Sequence, residues 1–155
     1  MKNLVFNKLE PGTNIPYELL LLADETIEAI NQYIFDCIVY VLNDGFQNIA
    51  VMALHPNSST ELETKNIAVI ESYRSQGIGS ILINKAKEIA KENSYAILTV
   101  GTSDTGFQQI KFYEKNGFIK KGIRKDFFTD HYPFPIYENG LQMRDMVVLA
   151  HDLSE

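Results

Sequence analysis

The chain has 155 residues, 45% of them hydrophobic and 22% charged, with a formal net charge of -6. That length and composition suit one globular domain over residues 1–155, able to bury a core without disulfides, and the acidic balance argues against a nucleic-acid partner. The single cysteine, Cys37, excludes an intrachain disulfide and a cysteine-based metal site, and no apolar run is long enough to span a bilayer. No leader pattern precedes the first strand, so a reducing cytoplasm is expected, with no membrane partner and no metal. The charge is uneven: residues 1–63 carry nine acids and two bases, and residues 64–155 carry eleven acids and twelve bases. The first part therefore suits a cationic ligand and the second an anionic one.

In chain order, Lys2 to Leu9 alternates as a strand and is stopped by Pro11-Gly12. Tyr17 to Ile34 has helical spacing, read as two short helices with Asp24 capping the second. Cys37–Leu42 and Ile49–Leu54 are β-rich runs flanking the turn signal Asn43-Asp44-Gly45, and Glu61–Ile70 reads as the next strand. A helix then begins within Arg74–Gly79 and turns Ile78, Ile81, Leu82, Ala86 and Ile89 to one face. Tyr95–Val100 suits a buried strand, and Thr105–Lys115 a helix ended by Asn116-Gly117. Phe118–Phe128 and Arg144–His151 read as strands around an aromatic loop, Thr129–Gly140. The order β-αα-βββ-α-β-α-ββ predicts an α/β fold. Its mixed, mostly antiparallel central sheet is flanked by helices and has one parallel β-α-β crossover.

The stretch Arg74-Ser75-Gln76-Gly77-Ile78-Gly79 joins a strand to a helix. A helix N-terminus presents unpaired N–H groups, and glycines let phosphate approach the backbone; a plain strand-to-helix turn is the alternative. A dinucleotide fingerprint fails, because Leu82 stands where a small residue is needed and the next strand ends Thr99-Val100-Gly101 without an acid. A Walker loop fails because Gly-Lys-Ser/Thr never occurs.

"VIESYRSQGIGSILI" resembles the Arg/Gln-x-x-Gly-x-Gly/Ala pyrophosphate loop of the GNAT superfamily of N-acetyltransferases. "FYEKNGF", Phe112 to Phe118, resembles the end of that superfamily's next helix. Gly79 and Phe112 stand 33 residues apart with a strand between, as in the family, and the specific resemblance covers residues 64–118. Together with "RDM" at Arg144–Met146, the aromatic loop also resembles the tail of Bacillus-type members with no assigned substrate.

The resemblance implies acetyl-CoA as acetyl donor, lying where two strands splay apart. Backbone groups of Ile67, Ala68 and Val69 would pair with the pantetheine arm. The N–H groups of Ser75, Gln76, Gly77, Ile78, Gly79 and Ser80 would hold the pyrophosphate beside Arg74. Lys85 and Lys87 either touch the adenosine phosphates or form the solvated helix face. Tyr113 matches the family's general acid for the coenzyme A sulfur; the plain alternative is a core aromatic beside Phe107 and Ile110. The family's Asn and Ala on this helix are replaced by Gly106 and Gln109, which leaves Asp104 as a polar contact to the donor. Glu71 stands where the family has Pro-Glu, as a candidate base or a solvated loop acid. An alkylamine has a pKa near 10.4, so only about one molecule in ~10³ is neutral at pH 7; the site must offset roughly 4–5 kcal/mol.

On the acceptor side, Asp24, Glu25 and Glu28 form an acidic cluster that either attracts an amine or is simply solvated. The aromatic loop contributes Tyr132 and two proton acceptors, His131 and Glu138; the alternative for His131 is a ring satisfied by loop hydrogen bonds. The expected function is direct acetyl transfer to a small primary amine. A peptide or protein amine, or a non-catalytic acyl-CoA sensor, is the alternative, and a homodimer stays open.

Overall fold

The computed structural model describes residues 3–154. In chain order its elements begin with β1 (Val5–Lys8), α1 (Tyr17–Leu20), α2 (Ile27–Asn31), β2 (Ile38–Asn43), β3 (Asn48–Pro56) and β4 (Glu61–Val69). They continue with α3 (Ile78–Glu92), β5 (Ile97–Ser103), α4 (Phe107–Lys115), β6 (Ile119–Arg124), α5 (Phe127–His131), β7 (Tyr137–Glu138), β8 (Leu141–Gln142) and β9 (Met146–Asp152). Lys2, the expected start of the first strand, lies outside the described residues. The main sheet runs β1-β2-β3-β4-β5-β9-β6, and β7 and β8 form a separate hairpin. Every neighbouring pair in the main sheet is antiparallel except β4 and β5, which α3 connects. A crossover needs a connection long enough to return over the sheet, and the 15-residue α3 supplies it.

Two apolar clusters cover the two faces. Tyr40, Leu42, Met52, Leu54 and Leu98 pack with α3 and with Tyr113 of α4. Val41, Val51, Ala53 and Ala68 pack with Leu19, Leu20, Ile30 and Ile34 on the opposite face. Covered on both sides, β3 buries the continuous run Ile49–Leu54 rather than alternating. The buried stripe of α3 is Ile78, Leu82, Ile83, Ala86 and Ala90, while Ile81 is exposed and Ile89 only half-buried. The expected stripe was rotated because α3 must meet both β4 and β5, which draws Ile83 and Ala90 inward.

Two further expectations about the elements need correction. Thr26, not Asp24, caps α2: its hydroxyl accepts the Ala29 N–H at 3.0 Å. The expected strand to Phe128 stops at Arg124, since Asp126 takes φ 55 and residues 127–131 turn into α5. The Phe128 N–H donates to the Arg144 carbonyl at 2.9 Å and that of Asp126 to Asp145 Oδ1 at 2.8 Å, so tertiary partners override the strand pattern. What reads as an aromatic loop is thus α5 followed by the β7–β8 hairpin.

Candidate active site

A register shift in β4 creates the cleft. Ala53 pairs with Asn66 and Leu54 with Thr64, which leaves Lys65 as an extra, bulged residue. Parallel pairing with β5 ends at Thr64 and Val100. Beyond that point β5 follows β9 to Ser103 and β4 follows β3 to Val69, so the sheet forks. The fork opens into a cleft of ≈ 730 Å³ whose wall includes Ile67, Ala68, Val69, Arg74 and Tyr113. A Cβ on Gly101 would come within 2.3 Å of Met146 Sδ, so glycine there lets Met146 lie across β5 into the cleft wall.

On one side of the fork, Gly77 takes φ 81 and opens α3 without a side-chain cap. The first-turn N–H groups, which have no acceptor one turn earlier in the helix, are left facing outward at the positive end of the helix dipole. Ser75 is also left-handed, at φ 63, and Gln76 Nε2 donates to the Ser72 carbonyl at 3.1 Å. Arg74 Nε donates to the Val69 carbonyl at 3.0 Å, tying the loop to the end of β4. Ser75 to Ser80 lie beside the cleft rather than in its wall, and Ile78 is buried in the core. A Cβ on Gly79 would stand 3.0 Å from Phe112 Cζ, so the two motifs seen in the sequence meet in space.

Tyr113 is 6% exposed, with its ring edge-on to Phe112 and Phe118 at centroid distances of 5.1 and 5.7 Å. Its hydroxyl has no hydrogen-bond partner among the described residues, and burial pushes its pKa above the usual tyrosine value. Thr64 Oγ1 and Asn66 Oδ1, on either side of the bulge, are buried and unpartnered, and both residues line the cleft. A buried polar atom without a partner costs roughly 1–3 kcal/mol.

The other wall joins the α1–α2 connection to α5 and the hairpin. Asp24 accepts from Tyr132 at 2.6 Å and Tyr33 at 3.0 Å, and Asn66 Nδ2 donates to the Tyr33 hydroxyl at 3.1 Å and the Leu20 carbonyl at 3.0 Å. Glu138 accepts from Thr105 at 3.0 Å and Gln109 at 3.4 Å. Burial first, then the charges of Asp24 and Glu138, raise the pKa of Glu25. His131 stacks on Phe127 at 4.2 Å, its Nδ1 2.8 Å from the Phe127 carbonyl oxygen, and it too lines the cleft. On the floor, buried Glu63 is paired with Arg124 at 3.3 Å and Lys65 at 3.8 Å, and accepts from Asn57 at 2.8 Å.

The cleft therefore brings together Ile67, Ala68, Val69, Arg74, Tyr113, His131, Tyr132 and Glu138. It does not include Glu71, exposed on a 3-10 turn, or Glu28, exposed in the first turn of α2. Asp104 Oδ1 accepts the Arg144 N–H at 3.2 Å, so that carboxylate positions the approach to β9 rather than facing the cleft. Lys87 donates to the Asn116 carbonyl at the end of α4, and Lys85 pairs with Glu88 at 3.9 Å. The sequence reading missed Thr64 and Asn66. Their signal was two short polar residues inside an otherwise strand-forming run.

Among the described residues no helix is long and apolar enough to cross a membrane. The forked mixed sheet and the glycine-opened α3 define an acyltransferase of the N-acetyltransferase class. A family model described as an acetyltransferase (GNAT) domain matches residues 35–120. The chain belongs to the GNAT family of acetyl-CoA-dependent N-acetyltransferases. It is 37% identical over 137 residues to the uncharacterized N-acetyltransferase YvbK of Bacillus subtilis, covering 88% of each chain. A GNAT family acetyltransferase from Elizabethkingia anophelis, solved with acetyl-CoA bound, superposes with a TM-score of 0.94 at 39% identity, over 99% of this chain and 100% of the other. An IAA acetyltransferase from Bacillus cereus superposes with a TM-score of 0.91 at 37% identity, over 97% and 99%.

Proposed function

We propose that this chain moves an acetyl group from acetyl-CoA directly to a primary amine of a small molecule. The observation that carries the reading is the fork beyond Thr64 and Val100, with the N-terminus of α3 beside it and Tyr113 in its wall. Free edge groups of Ile67 to Val69 suit an amide-bearing arm, and the N–H groups from Ser75 to Ser80 with Arg74 suit a pyrophosphate. Tyr113, protonated at any working pH, is suited to give its proton to the departing sulfur. An N–H near Val69 is the candidate partner for the developing oxyanion. Glu138 and His131 are the wall's candidate proton acceptors for an amine arriving as ammonium. The Tyr132–Asp24 hydrogen bond ties the end of α5 to the α1–α2 connection and closes the acceptor wall, which favours a discrete small acceptor over a peptide strand.

The test is thiol release from acetyl-CoA with a panel of primary amines, for the parent protein and Tyr113→Phe. Turnover that Tyr113→Phe slows by roughly 10²-fold supports the reading. Tight acetyl-CoA binding with no turnover on any amine would favour an acyl-CoA sensor instead.

A further inference from the structure

Lys65 is the residue that the slip in β4 leaves unpaired, and it stands one place beyond Thr64, where pairing with β5 ends. Its Nζ lies 3.8 Å from Glu63 Oε2 and 5.6 Å from the centre of the Tyr33 ring. The residue lines the cleft, with its side chain 23% exposed. Of the described residues in the cleft wall, Lys65 alone carries a primary amine; Arg74 is a guanidinium that stays protonated at any working pH. A cleft suited to bring an acetyl thioester to an amine therefore holds an amine of its own, on a flexible four-carbon stem rooted at the fork.

The pairing of Glu63 leaves that amine free to change. Glu63 is buried and meets two cations, and Arg124 is the nearer, reaching both carboxylate oxygens at 3.3 and 3.4 Å. Removing the only partner of a buried carboxylate would strand its charge. Here the loss of the Lys65 charge leaves Glu63 matched by Arg124, with the Asn57 Nδ2 donor still at 2.8 Å. A neutral Lys65 gives up the longer ion pair and the cation–π contact with Tyr33, and nothing else that is buried depends on it. Lys87, the half-buried lysine of α3, differs on both counts: it is committed to the Asn116 carbonyl and lies outside the cleft.

We propose that Lys65 is a self-acetylation site: with no acceptor present, the chain moves the acetyl group of its own bound acetyl-CoA to Lys65 Nζ. The proposal rests on the acetyl-transfer reading for the place of the donor. A pantetheine arm along Ile67 to Val69 brings the thioester to the fork, where Lys65 stands. The nitrogen–carbon bond forms as the carbon–sulfur bond breaks. The ammonium sheds one proton before attack and a second as the amide forms; sulfur takes one and solvent the other. The products are N-acetyl-lysine and coenzyme A. The neutral amide is bulkier than the ammonium it replaces and stays in the cleft beside Tyr33, so a chain left with donor alone loses transfer to added amines.

The test incubates the full chain with isotopically labelled acetyl-CoA and no amine, and reads the label at each lysine by peptide mass spectrometry at timed points. Lys8 on β1 and Lys120 on β6, exposed on the two edge strands, report the background reaction of free acetyl-CoA with surface amines. Lys65 is less exposed than either, yet it is expected to gain label faster than both by roughly tenfold or more, because a bound donor makes the transfer intramolecular. Excess coenzyme A, which carries no acetyl group, should suppress label at Lys65 and leave Lys8 and Lys120 unchanged. With saturating acetyl-CoA, the rate at Lys65 should not depend on protein concentration. Lys65→Arg keeps a cation beside Glu63; its amine turnover should hold steady during incubation with acetyl-CoA, whereas that of the parent falls as Lys65 fills. Label at Lys65 no faster than at Lys8 and Lys120, or label that coenzyme A does not suppress, overturns the proposal. A rate that rises with protein concentration marks transfer between molecules and overturns it too. Thiol release with the amine panel, run in parallel, separates the two readings. Turnover without label at Lys65 spares acetyl transfer and sinks self-acetylation. Label at Lys65 without turnover on any amine keeps self-acetylation and sinks the small-amine reading; neither label nor turnover overturns both.

Discussion

At Tyr113 the packing of the ring separates from the proton donation proposed for the hydroxyl. Its ring belongs to the core against Phe112 and Phe118, while its hydroxyl has no partner among the described residues. Tyr113→Phe should therefore leave the thermal midpoint within a few degrees while lowering kcat by roughly 10²-fold, with the KM for acetyl-CoA little changed. Parallel scanning calorimetry and steady-state kinetics check both halves. Loss of activity together with loss of fold would make the tyrosine a packing residue only. Cys37 shows the opposite case, a group that burial silences. Burial pushes its thiol up to about 12, against a smaller opposing pull from Lys65. Iodoacetamide at pH 8 should alkylate the native chain slower than the urea-unfolded chain by roughly a hundredfold or more, because the thiolate is the reactive form. Mass spectrometry at timed quench points reads this directly, and equal rates would refute it. For Tyr113 the sequence offers a general acid and a core aromatic as alternatives, whereas the silencing of Cys37 is not legible there, because it depends on which side chains close over the thiol.

The elements were legible where their signals are local. Alternating apolar runs, the Asn43-Asp44-Gly45 turn and the glycine-opened helix follow from period and turn chemistry, and each stands within a few residues of its expected place. The cap of α2 shows where local rules give two answers. Asp24 and Thr26 are both good cap residues; tertiary hydrogen bonds with Tyr33 and Tyr132 occupy Asp24, and Thr26 takes the cap. Thr26→Ala should cost about 1 kcal/mol in urea denaturation, and Thr26→Ser most of nothing. The bulge at Lys65 left no mark in composition, since a one-residue slip is a property of the pairing with β3 and not of β4 alone. At the head of α3 the demand is conformational: Gly77 holds φ 81 with open space around its Cα. Gly77→Ala should thus lose about 1 kcal/mol of stability by backbone strain alone, and weaken acetyl-CoA binding by disturbing the first-turn N–H groups. Calorimetric titration with acetyl-CoA tests it; unchanged affinity would remove this turn from the donor site.

For the whole molecule, the topology was readable because seven strand signals and one long helix allow few un-knotted, right-handed arrangements. The acceptor wall was not, since Asp24 and Tyr132 meet across 108 residues and Glu25 turns toward the cleft while Glu28, one turn on, faces away. The burial of Tyr113 should make the chain lose stability at alkaline pH. Below the ordinary tyrosine pKa of 10.0, Tyr113 is protonated whether the chain is folded or not, and pH does not act through it. Above that value the unfolded chain ionises while the buried hydroxyl, its pKa raised by desolvation, stays protonated. The unfolded state then binds fewer protons than the native state, so stability falls with rising pH, by about 1.4 kcal/mol per pH unit for one such group. Tyr33 and Tyr132 are raised in the same direction, with burial as the first cause of each. Urea denaturation of the parent and of Tyr113→Phe between pH 9 and pH 11 isolates the one contribution. The phenylalanine variant, which has no proton to lose there, should show the shallower decline, and parallel curves would mean that the Tyr113 hydroxyl ionises in the folded chain as readily as in the unfolded one.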